Sequence, residues 1–84
     1  MRYKITYSAE AQRGIGTLTR EQRRAVHGAE KTLADRPESV GAVHEGRGPE
    51  AMRRWVLEGA RVTILYRVRN RAVVVEVVWL VGHP

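Results

Sequence analysis

Three histidines, His27, His44 and His83, and a dense block of arginines are the residues of this chain best suited to chemistry. Imidazole exchanges a proton near neutral pH. Guanidinium offers a planar fork that matches phosphate or carboxylate. Residues 53 to 71 hold six arginines (Arg53, Arg54, Arg61, Arg67, Arg69 and Arg71) against one acid, Glu58. That density exceeds what solubility requires and predicts an electrostatic landing surface for RNA or an acidic protein. The histidine spacing fits no metal-ligand motif, and there is no cysteine, so neither a metal nor a cofactor is expected. Gly46-Arg47-Gly48-Pro49 is not a phosphate loop, because it lacks the Lys-Ser/Thr pair and a preceding strand. His27 sits mid-helix as a surface residue. Trp55 and Trp79 read as core or edge-of-core residues.

The elements that must hold these groups follow from periodicity. The chain has 84 residues, enough for one domain, 1–84, with a modest core and no disulfide. Its formal net charge is +6, from fifteen basic and nine acidic residues. Arg2 to Tyr7 alternates as a half-buried strand. Ser8 caps a short helix from Ala9 to about Ile15, weakened by Gly14 and Gly16. Thr19 and Gln22 form a capping-box pattern that opens a helix to about Asp35, with Val26, Ala29 and Leu33 on one face. Pro37 ends it, and 37–50 reads as a loop rich in Gly and Pro. Ala51–Leu57, Ala60–Val68 and Ala72–Val81 read as strands, the last buried on both faces. Glu58-Gly59 and Arg69-Asn70-Arg71 make the turns, Asn70 tolerating positive φ. In the central hairpin strand, Arg61, Thr63, Leu65 and Arg67 share one face. The expected architecture is α+β: two N-terminal helices packed on a four-stranded, mainly antiparallel sheet in the order β-α-α-β-β-β. No segment is apolar and long enough for a signal peptide or a membrane helix, which predicts a cytoplasmic protein without membrane contact.

This order, with several local phrases, resembles the RelE/ParE superfamily of bacterial type II toxins, and its RelE/YoeB-like members in particular. The phrases are Tyr3-Lys4-Ile5-Thr6-Tyr7-Ser8 with Ala11, and Leu33-Ala34-Asp35-Arg36-Pro37. Arg53-Arg54-Trp55, Ile64-Leu65-Tyr66-Arg67-Val68 and Val73-Val74-Val75-Glu76-Val77-Val78 complete the set. They cover essentially the whole chain in order. The resemblance implies the toxin of a toxin–antitoxin pair, neutralised by a small acidic antitoxin. It implies contact with operator DNA only through the toxin–antitoxin complex. RelE-like members cleave messenger RNA in the ribosomal A site without a metal and so stop translation. ParE-like members inhibit DNA gyrase. A third outcome is a degenerate toxin that acts only as an antitoxin-binding, autoregulatory module.

For an endoribonuclease the resemblance implies three groups: one to deprotonate the ribose 2′-hydroxyl, one to hold the developing phosphate charge, one to protonate the leaving oxygen. Arg54 matches a basic strand position, and Arg53 beside it faces the other way. The family's next arginine falls where this chain has Thr63, and Arg61, two residues earlier, is the expected substitute. His83 matches the histidine of a terminal His-Tyr pair, with Pro84 in place of the tyrosine. The expected catalytic set is therefore Arg54, Arg61 and His83. His44 and Glu45, in the loop where a family carboxylate can sit, are further acid/base candidates. Arg47, Arg53, Arg67, Arg69 and Arg71 are expected to bind RNA or antitoxin.

Overall fold

The computed structural model describes residues 2–84. Seven elements follow in chain order: β1 (Lys4–Tyr7), α1 (Ala9–Thr17), α2 (Arg20–Asp35), β2 (Ala42–Glu45), β3 (Met52–Leu57), β4 (Val62–Arg69) and β5 (Val74–Gly82). The five strands form one sheet in the order β1-β5-β4-β3-β2. The chain leaves β1 through both helices and returns through the β3–β4–β5 meander, so β1 pairs parallel to β5 while every other pair is antiparallel.

Local chemistry fixes the helix starts. The Ser8 side chain accepts from the Ala11 amide at 3.0 Å and opens α1. Thr19 and Gln22 close a reciprocal capping box, with Thr19 Oγ1 accepting from the Gln22 amide at 3.1 Å and Gln22 Oε1 from the Thr19 amide at 3.0 Å. Helix α2 then buries Val26, Ala29 and Leu33, at the three- and four-residue steps of one helical face. These meet Val62, Ile64, Tyr66 and Val68 of β4 and Val75, Val77 and Leu80 of β5 in one core. Fully burying a side chain such as Leu33 or Ile64 contributes about 1.5–3 kcal/mol. Gly14 lets α1 lie directly on β5, since a Cβ there would fall 2.4 Å from the Leu80 carbonyl oxygen.

Five expectations need correction. The sheet has five strands, not four: β2 forms inside the expected 37–50 loop, paired to β3 with an irregularity between Val43 and Glu45. All four of its residues are exposed, so no burial pattern marks it. Helix α1 continues to Thr17, two residues beyond Ile15. Arg61 lies outside β4, in the turn before it, with φ of 58°. In the β4–β5 turn the positive φ falls on Val73, at 53°, and not on Asn70. A β-branched residue is strained there, and the turn is closed by the Val73 amide donating to the Asn70 carbonyl at 3.3 Å. Strand β5 is also buried on one face only, with Trp79 exposed on the other.

Candidate active site

The helices cover one face of the sheet and leave the other open. Cross-strand register assembles the open face in rows. Arg54 of β3 stands opposite Leu65 of β4, which stands opposite Trp79 of β5. In the next row are Val56, Thr63 and Val81. A concavity of about 610 Å³ lies over these rows, lined by Arg54, Thr63, Leu65, Trp79 and Val81, with His44, His83 and Glu10 at its rim. Four segments remote in sequence thus supply ionisable groups to one cleft: α1, β2, β3 and the C-terminal end.

His83 is the most closely held of them. Its Nε2 lies 3.0 Å from Thr63 Oγ1, and a hydroxyl can serve either imidazole tautomer as donor or acceptor. The His83 amide donates to the Arg61 carbonyl at 2.7 Å. Gln22 adds a second anchor from the start of α2: its Nε2 lies 3.2 Å from the His83 carbonyl and 3.3 Å from those of Ala60 and Arg61. Gly82 makes room for this contact, because a Cβ would fall 2.8 Å from Gln22 Oε1 and from Leu18 Cδ2. One side chain therefore caps α2 through its oxygen and pins the terminal segment through its nitrogen.

The arginines divide sharply. Arg54 projects into the cleft and takes part in no ion pair among the described residues. Arg53 turns to the other face, where its Nε donates to Tyr66 Oη at 3.2 Å and its Nη2 to the Val40 carbonyl at 2.9 Å. It braces the fold, with its fork turned to these internal acceptors and away from the cleft. Arg61 does not reach the cleft; it lines a separate depression with Gln22, His83 and Pro84. The left-handed turn takes it off the strand face shared by Thr63 and Leu65. Arg67 shares the open face but lies across from Glu76, with its Nε buried and without a hydrogen-bond partner. Arg69 is held by Glu76 at 2.9 Å and Glu50 at 3.4 Å. Arg47 and Arg71 are exposed in loops away from the cleft, and Glu45 on β2 does not line it.

Sequence reasoning did not single out Glu10, and it read Thr63 as standing in the place of an arginine rather than as a histidine partner. Trp79, read from the sequence as a core or edge-of-core residue, is exposed on the open face, where its indole offers a surface for base stacking. Two phenols sit on the covered side. Burial, and then the hydrogen bond Tyr7 donates to the Glu30 carboxylate, hold the Tyr7 hydroxyl well above its ordinary range. Burial raises Tyr66 as well, against the opposing pull of Arg53. Tyr66 Oη lies 2.7 Å from the Pro37 carbonyl and 2.9 Å from that of Val40, its single proton shared between them. Among the described residues no group of three His, Asp or Glu side chains could hold a metal ion, and no helix is long and apolar enough to cross a membrane.

The fold is that of the RelE toxins. The isolated Escherichia coli RelE toxin superposes with a TM-score of 0.76 at 17% identity, over 98% of this chain and 85% of that one. A chain of the archaeal RelE–RelB complex from Pyrococcus horikoshii OT3 gives 0.81 at 19% identity, covering 98% and 96%. A chain of the RelBE2 toxin–antitoxin complex from Mycobacterium tuberculosis gives 0.80 at 18% identity, covering 99% and 100%. No family model matches the sequence, and no curated protein matches it. The likeness is thus one of chain path, carried by strand order and helix placement rather than by residue identity.

Proposed function

We propose that this chain is the toxin of a type II toxin–antitoxin pair and a metal-independent, ribosome-dependent endoribonuclease of messenger RNA. The observation that carries the reading is the convergence of Arg54, His83, His44 and Trp79 on one open cleft. His83, held by Thr63, takes the proton of the ribose 2′-hydroxyl as that oxygen bonds to phosphorus. Arg54 holds the charge that builds on the phosphate oxygens. The bond from phosphorus to the 5′ oxygen breaks, and His44 on the opposite rim gives that oxygen its proton. Trp79 offers a flat surface on which an adjacent base stacks. The structurally similar complexes pair RelE with RelB, and an acidic antitoxin in the cytoplasm is the matching partner for a chain of net charge +6. Its contact with operator DNA would come through the complex. The test is cleavage of ribosome-bound message by the purified chain, with Arg54→Ala and His83→Ala as controls.

One observation favours a second reading, inhibition of DNA gyrase. The cleft holds a single arginine, because Arg61 lies outside it and Thr63 occupies the place of another. A gyrase inhibitor needs a binding surface and no phosphate clamp. A supercoiling assay with purified gyrase separates the two readings.

A further inference from the structure

Of the six arginines of residues 53 to 71, two are occupied within the fold: Arg53 by Tyr66 and Val40, and Arg69 by Glu76 and Glu50. Helix α2 presents the opposite case. Arg20, Arg23, Arg24, His27 and Lys31 line one shallow depression on it, with Gly28 at the floor. At about 3.6 residues per turn, the steps of four, three and four from Arg20 through Arg24 and His27 to Lys31 form a single stripe, about 16 Å long. That stripe lies opposite Val26, Ala29 and Leu33, which face the core. All five side chains are exposed. Among the described residues no ion pair engages Arg20, Arg23, Arg24 or Lys31; His27 meets Glu30 at 3.3 Å, and Arg23 donates to the Leu18 carbonyl at 3.1 Å.

We propose that the outward face of α2 is a second phosphate-binding surface, with Arg20, Arg24 and Lys31 as its main contacts, and that it holds the backbone of a folded RNA without reading its sequence. The choice of RNA rests on the function proposed above. The chemistry of the face favours a polyanion over a folded protein. It carries no large apolar or aromatic residue, and protein interfaces rely on such anchors at their centre. Fixed cations alone suffice for a phosphate backbone, where released counterions drive binding. The exposed large apolar residues, Val43, Val56 and Trp79, lie on the sheet instead. The α2 face and the cleft are on opposite sides of a molecule measuring 34 × 25 × 24 Å. The dense, regular phosphates of a base-paired backbone match a fixed stripe of this length better than those of a flexible single strand do.

The test is a titration of fluorescent RNA hairpin across a salt series, comparing the wild-type chain with the triple variant Arg20→Gln, Arg24→Gln, Lys31→Gln. Glutamine keeps helix propensity, and thermal melting checks that the variant is folded. The slope of log affinity against log salt should become shallower by roughly 2 to 3 in the triple variant. Arg54→Gln alone should change it by no more than about 1. An unstructured RNA of equal length should bind more weakly than the hairpin. The proposal is overturned if the triple variant keeps the wild-type slope, or if the wild-type chain binds neither RNA. It is equally overturned if the unstructured RNA binds as tightly, or if the substitutions weaken binding only to polyglutamate, which would make the face a site for an acidic protein. Binding is read without ribosomes or cleavage, so its failure and the failure of the endoribonuclease reading are separate results.

Discussion

Arg53 and Arg54 are neighbours in sequence and belong to opposite sides of the molecule. Strand alternation sends Arg53 to the covered face, where it bonds to Tyr66 and to the carbonyl of Val40. It sends Arg54 to the open face, into the cleft. The same residue type is a brace on one side and an unpaired cation on the other. Charge in a sequence is therefore weak information about function until its partners are known. The covered face satisfies its polar groups internally, while the cleft leaves Arg54, His44 and Glu10 facing solvent.

Removing the open-face groups should abolish activity and spare the fold. Arg54→Ala should lower cleavage by about 100- to 1,000-fold with an unchanged melting temperature, and His83→Ala should do so by about 100- to 10,000-fold. A matching loss of stability would mean that the open face is structural after all. Gln22→Glu comes next. It keeps an acceptor for the capping box and removes the donor that holds the terminal carbonyls, so cleavage should fall roughly 10- to 100-fold through misplacement of His83. The readout is single-turnover cleavage beside the His83 imidazole signals in NMR.

Arg53→Ala should do the reverse of Arg54→Ala. Losing charged hydrogen bonds should cost roughly 2 kcal/mol in urea unfolding, with cleavage retained in the folded fraction. The covered face also predicts a pH response. Tyr7 and Tyr66 are held above the ordinary phenol value of 10.0, so the folded state favours the neutral hydroxyl. The stability this adds is complete below pH 10.0 and is lost as pH rises beyond it toward the folded-state values. Urea midpoints taken either side of pH 10.0 should fall, and Tyr7→Phe should flatten the decline. The smallest effect belongs to Arg69→Gln, because its partners Glu76 and Glu50 are part-exposed; less than about 1 kcal/mol should be lost.

Periodicity and capping made much of the fold legible. The Thr19–Gln22 capping box, the Val26–Ala29–Leu33 stripe and the alternation through Val62, Ile64, Tyr66 and Val68 all appear as read. Strand β2 was hidden because its residues are all exposed, so pairing to β3, and not burial, makes it a strand. The turn at Arg61 was hidden because only the three-dimensional path shows that Glu58-Gly59 is not the whole turn. The Arg61 amide donates back to the Glu58 carbonyl at 3.3 Å, which takes Arg61 out of the strand. Of the residues lining the cleft, Arg54 and His83 had been singled out through the resemblance, and His44 by its place in the loop. Glu10 and the pairing of Thr63 with His83 were not, since they depend on α1 and the terminal segment meeting at the sheet.

If the open cleft cleaves RNA as proposed, the cut must appear in ribosome-bound message. The most direct measurement incubates the purified chain with programmed bacterial ribosomes and maps the 5′ ends of the message. Cuts within the A-site codon are expected that require the ribosome and disappear with Arg54→Ala or His83→Ala. Intact message beside inhibited gyrase supercoiling would contradict it and make the sheet face a binding surface instead.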